Sequence, residues 1–213
     1  DYFQDFINGG RPFGEFAAKC AGSLGNSLKV VIVDQDTWAD LDDSLQNNFE
    51  GSPNTSDFVE SIGGSNDEMH ILVIDDGGLW SGVAGTILEK FSFVSKASDA
   101  KKSDGTNNFY KNVINSRSEY IYWLNHPDNT NWGEEGLNNT FDGLSALLER
   151  VLSGGVDDFS PTDGNLITGW DLFKNTESYD VSLLPVGRVS TVVATYVINN
   201  IVEFRKDCIC FIS

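Results

Sequence analysis

Cationic side chains are scarce in this chain. Lysine and arginine number 14 against 32 aspartates and glutamates, for a formal net charge of −18. A field of that sign repels nucleic acid and anionic membranes unless a basic patch overrides it; Lys101-Lys102 is too small to do so. No apolar run approaches the roughly 20 residues that span a bilayer. The start carries no signal-like or basic amphipathic stretch. Cysteine is limited to Cys20, Cys208 and Cys210, an odd and low count for 213 residues, which argues for a reducing compartment and against a disulfide framework. Methionine occurs once, at Met69. The chain opens on Asp1 and stops at Ser213 within an apolar, strand-like run, so it reads as an internal piece of a longer protein.

What is present can build a core: 40% of residues are hydrophobic and 12% aromatic, enough for one large domain or two small ones. The stretch His70 to Ser95 organises the rest. An apolar run to Ile74 ends on Asp75-Asp76-Gly77-Gly78, and a second β-rich run follows from Thr86 to Val94. Glycine supplies positive φ at no steric cost, so this pattern predicts a β-hairpin.

In chain order, residues 1–20 read as an irregular lead-in and 21–213 as one globular core. Leu28 to Val33 is a nearly continuous apolar run, expected to be a strand buried on both faces. Asp40 to Asp67 is polar and Gly-punctuated, expected to be a mobile surface loop with one helical turn around Phe58 to Ile62. Phe109 to Asn115 has amphipathic helical spacing, Glu119 to Leu124 reads as a strand, and Leu144 to Leu152 is short and apolar. Pro161-Thr162-Asp163 has the chemistry of a helix start. The strand Val181 to Val186, the helical stretch Val189 to Phe204 and the strand Asp207 to Ile212 form a βαβ unit with an expected right-handed crossover. The fold class is α/β (mixed α+β): a β-hairpin, a mixed sheet with flanking helices, and the βαβ unit in the last third.

Candidate chemistry is thin. Asp34-x-Asp36 after a strand has the form of the carboxylate pair with which sugar-nucleotide transferases hold a divalent metal, but a chain with 32 acids produces such pairs freely. Asp75-Asp76 reads as a turn. His70 starts a strand and His126 sits before Pro127 in a loop; neither lies in a nucleophile signature. Cys208-x-Cys210 would be half a metal site, yet no Cys or His partner has zinc-like spacing, and two small hydrophobes on one strand face is the simpler reading. No phosphate loop occurs, and Ser81 lacks the preceding glycine of a nucleophile elbow. Asn54-Thr55-Ser56 and Asn138-Asn139-Thr140 fit the glycosylation pattern by chance. Trp123 and Trp132 would have to form an exposed platform for the chain to be a carbohydrate-binding adhesin module. No catalytic, cofactor-binding or metal-binding residue is assigned.

Several fragments nonetheless occur in an order that resembles one family. Ala21-Gly22-Ser23-Leu24-Gly25-Asn26-Ser27-Leu28-Lys29-Val30 resembles a passage of the contractile tail sheath proteins of myoviruses. Val73-Ile74-Asp75, Gly82 and Gly85-Thr86-Ile87-Leu88-Glu89-Lys90-Phe91 are similar to its next strand and run. Ser95, Asp99-Ala100-Lys101, Asn108-Phe109-Tyr110 and Ser118-Glu119-Tyr120-Ile121 follow. Leu152-Ser153-Gly154-Gly155, Trp170-Asp171-Leu172-Phe173, Glu177-Ser178-Tyr179-Asp180-Val181 and Arg205-Lys206-Asp207-Cys208 complete the series. The resemblance implies a structural, non-enzymatic, cofactor-free subunit of the virion, assembled in the host cytoplasm. It implies hexameric rings stacked in a helical lattice around a tail tube, held by terminal arms that add strands to a neighbour's sheet, with baseplate and tail terminator proteins as further partners. Contraction of the rings would drive the tube through the host envelope. On this view the chain lacks the terminal arms and is expected to be monomeric in dilute solution.

Overall fold

The computed structural model describes residues 14–127 and 131–213, so residues 1–13 of the expected lead-in lie outside the described residues. Contacts gather the chain into two compact units, one running to Asp157 and one from Asp158 to Ser213.

The first unit contains β1 (Phe16–Ala18), a 3-10 turn (Ser23–Ser27) and β2 (Leu28–Asp34). A second 3-10 turn (Trp38–Asp40), α1 (Asp43–Gln46) and α2 (Asp57–Ser61) follow. Then come β3 (Glu68–Asp75), β4 (Thr86–Ser95), α3 (Tyr110–Arg117), β5 (Ile121–Trp123) and β6 (Leu148–Val151). The predicted hairpin is β3–β4, and it extends into a four-stranded antiparallel sheet in the order β4-β3-β2-β6. β1 and β5 pair in a separate antiparallel ribbon.

β2 lies between β3 and β6 in the sheet, and its side chains are packed on both faces, as expected. Strand alternation divides them. Leu28, Val30 and Ile32 join Met69, Ile71, Val73, Phe91, Tyr110, Val113, Ile114 and Ile121 in the larger core. Val31 and Val33 face the other way with Leu72, Ile74 and Leu41. All four sheet residues of this second layer are at most 3% exposed; each fully buried aliphatic side chain stabilises the fold by about 1.5–3 kcal/mol.

The segment expected to be a mobile excursion, Asp40 to Asp67, is instead anchored. The Asp42 carboxylate caps α1, and Ser56 caps α2 by accepting from the Val59 N–H. Leu41, Val59 and Asp67 are buried. The helical turn predicted near Phe58 is α2. Polar composition concealed the anchoring because the buried members are few and widely spaced.

The second unit contains α4 (Asp163–Asp171), β7 (Leu183–Gly187), α5 (Thr191–Val197), a π-helical turn (Ile198–Val202), α6 (Glu203–Arg205) and β8 (Ile209–Ile212). Thr162 caps α4, as its sequence suggests. β7 and β8 are parallel, joined through α5 and its continuation, so the predicted βαβ unit is present. Leu184, Val186, Val193, Val197 and Ile201 form its core, and the partly covered Cys208 and Cys210 pack against it as small hydrophobes. Val192, on the outer face of α5, is 60% exposed. Lys206 ends the helical run in the left-handed region at φ 62°.

Candidate functional site

Asp34 ends β2 beneath the surface, where an ionised carboxylate requires compensation. Its Oδ2 accepts from Lys96 Nζ at 2.9 Å and from the Leu144 N–H at 2.8 Å. Its Oδ1 accepts from the Thr37 N–H and hydroxyl. The Lys96 and Asp34 side chains are 1% and 2% exposed. Lys96 also donates to the Asp142 carbonyl at 3.0 Å and lies 4.8 Å from the Trp132 ring centroid. Burial pulls the Lys96 pKa down, against the attraction of Asp34. Asp34 is thus saturated by donors, while Asp36 is exposed. The pair does not offer the two open carboxylates that a divalent ion needs. Trp123 and Trp132 are 7% and 4% exposed, so neither ring forms the surface platform that sugar binding requires.

Asp75 is more than a turn residue. Its carboxylate accepts from Ser27 Oγ at 2.5 Å, the Trp80 N–H at 2.9 Å, and the Ser81 N–H and hydroxyl at 2.7 and 2.8 Å. Burial opposes the charged form, but these donors outweigh it and hold the group below the usual carboxylate range. The hairpin loop therefore wraps around an anion supplied by its own strand. Sequence reading missed this because the donors follow no fixed period.

Both histidines are held by neighbours. His70 Nδ1 accepts from the Phe93 N–H at 3.0 Å and Nε2 faces the Gly51 carbonyl at 2.9 Å. His126 Nδ1 lies 2.7 Å from the Tyr110 hydroxyl. Burial, with the nearby Lys111 ammonium, pushes the His126 pKa down to about 4.

The fragments that carried the family resemblance fall on such fastenings. Asn26 and Gly155 exchange two hydrogen bonds, and Ser23 donates its N–H and hydroxyl to Asp157. Glu89 accepts from the Ser118 hydroxyl and the Glu119 N–H, both at 2.6 Å. Ser95 and Ser56 donate to the buried Asp67. In the second unit, Arg205 forks onto Asp207 and donates to the carbonyls of Phe173 and Tyr179. These side chains tie distant segments together.

A cleft of about 950 Å³ opens between β1 and β6, walled by Ala17, Tyr122, Val151, Gly22, Asn26 and Gly155. Among the described residues β1 pairs with β5 alone and β6 with β2 alone, so each presents an outer strand edge. Arg150 spans one side through its Nε, 2.9 Å from Glu15.

No family model matches the chain. It is 29% identical over 150 residues to a tail sheath protein of Salmonella phage ViI, covering 67% of this chain and 20% of that protein. The chain thus spans about a fifth of the relative's length.

Proposed function

We propose that the chain is a part of the structural subunit of a contractile bacteriophage tail sheath. The observation that carries this reading is the agreement between the ordered motif fragments and the fastenings just described. Several residues that resemble the sheath family, among them Asn26, Gly155, Asp75, Glu89 and Arg205, fasten distant segments, and the similarity to the phage ViI protein supports the same reading. In this role the subunits form hexameric rings around the tail tube and shorten as a lattice, with no cofactor and no reaction chemistry. A subunit that transmits load requires segments pinned to one another across long sequence separations. The outer edges of β1 and β6 suit the strand sharing that holds such subunits together.

The test is compositional. In purified virions of the source phage, peptides of this chain should be found in near-equal molar ratio with the tail tube protein, and should co-purify with isolated tails. Peptides confined to heads, fibres or the soluble lysate would reject the assignment.

A further inference from the structure

The second face of the sheet is covered by residues 37–53, which bring Trp38, Leu41, Leu45 and Phe49 onto Val31, Val33, Leu72 and Ile74. This cover is a unit of its own: Gln46 Nε2 donates to the carbonyls of both Trp38 and Leu41 at 2.8 Å. Its ends are pinned by buried polar anchors, Asp34 with Thr37 at one and Asp67 with Ser56 just beyond the other.

Between those anchors the principal fastening is His70, fully buried on β3. Its ring stacks on Phe49 with centroids 4.1 Å apart and meets Trp38 edge-on at 5.6 Å. The Phe93 N–H points at Nδ1, which must therefore be the unprotonated nitrogen, and Nε2–H donates to the Gly51 carbonyl in the cover. Phe93 sits at φ 51°, an uncommon conformation for a bulky residue, in a register shift of the β3–β4 ladder. One neutral imidazole thus satisfies the irregular strand and the cover together. A second proton on the ring would turn Nδ1 into a donor facing a donor.

We propose that residues 37–53 are an acid-releasable cover, fastened through the neutral imidazole of His70, whose release bares an apolar face of the sheet. This does not rest on the sheath assignment. The charged groups around the latch are accounted for. Asp34 is paired with Lys96, and Asp67 is held by serine donors. Lys90 Nζ donates to the Asn48 carbonyl at 2.8 Å. Asp40, Asp42, Asp43 and Glu50 lie on the cover itself. Glu68 accepts from the Asn54 N–H at 3.2 Å just beyond the cover, and burial raises its pKa, so protonating it relieves a burial cost and does not drive release. Burial lowers the pKa of His70, as a site that admits only the neutral ring should.

Amide exchange between about pH 7 and pH 5, corrected for intrinsic rates, tests the proposal in the wild type, His70→Gln and Glu68→Gln. Protection of the Asn47, Asn48 and Phe49 amides and of the Phe93 amide should fall roughly tenfold per pH unit below about 6.5, the free-imidazole value, while β2 amides hold. His70→Gln, neutral at every pH, should remove the dependence, and Glu68→Gln should keep it. The His70 ring resonances of the wild type should titrate with the same midpoint as the cover opens, which decides the matter even if His70→Gln fails to fold. Flat protection in the wild type, an equal fall in His70→Gln, loss of the dependence in Glu68→Gln, or loss of β2 protection in step with the cover would each overturn it.

Discussion

Asn26 and Gly155, 129 residues apart, form a closed pair: Nδ2 of Asn26 donates to the Gly155 carbonyl and the Gly155 N–H donates to Oδ1, both at 2.8 Å. The asparagine amide reads the backbone as another peptide would, and it holds the segment after β6 against the turn before β2. A side chain at 155 has no room. A Cβ there would stand 2.1 Å from the Gly22 carbonyl oxygen and 2.9 Å from Asn26 Oδ1.

Asn26→Ala should therefore lower stability by about 1–3 kcal/mol, the range for hydrogen bonds whose partners are left unpaired. For a chain of this size that is a fall of about 2–4 °C in Tm per kcal/mol. Gly155→Ala should cost at least as much, through the clash. The double variant should fall short of the sum, because both changes remove one contact. Thermal unfolding of the three variants checks it.

The Asp34–Lys96 pair makes a second, sharper expectation. Removing either partner leaves a buried charge unmatched, which typically costs about 3–5 kcal/mol. Asp34→Asn and Lys96→Met should each approach that figure, while the double variant should recover a large part of it. Additive losses in denaturant titrations would show that the two groups do not compensate one another.

How much of this was legible beforehand depended on range. The β3–β4 hairpin, β2, α3 and the βαβ unit were readable because alternation, helical spacing and Asp-Gly punctuation are local signals. The pairing of β6 with β2 was not, since Leu148 to Val151 carries only its first residue into the core. Asp34 looked like half of a metal pair because its partners, Lys96 and Leu144, lie 62 and 110 residues away. Trp123 and Trp132 looked available for a ligand, yet both pack with Tyr110 in a buried aromatic group that no spacing rule reveals.

His126 predicts a pH dependence of global stability. Its pKa is about 4 in the folded chain, below the free value near 6.5. Between those limits the unfolded chain binds more protons than the native one, so stability is full above about pH 6.5 and declines as pH falls toward 4. His126 is partly exposed, so the loss is smaller than the full shift would give. His126→Gln should flatten the decline relative to wild type in chemical denaturation at stepped pH.

Arg205 should govern the second unit. Arg205→Lys keeps the charge but loses the planar fork to Asp207 and the donors to Phe173 and Tyr179. Limited proteolysis should then cut first within residues 158–213 while fragments of residues 14–157 persist. Equal cleavage in both units would contradict that role.

The sheath assignment itself is met most directly by immunogold electron microscopy of the source phage, using antibodies raised against this chain. Gold should line the tail from baseplate to neck in extended particles, and crowd into the shortened outer layer after contraction while the bared tube stays unlabelled. Label on the tube, on fibres or on the head would contradict the account.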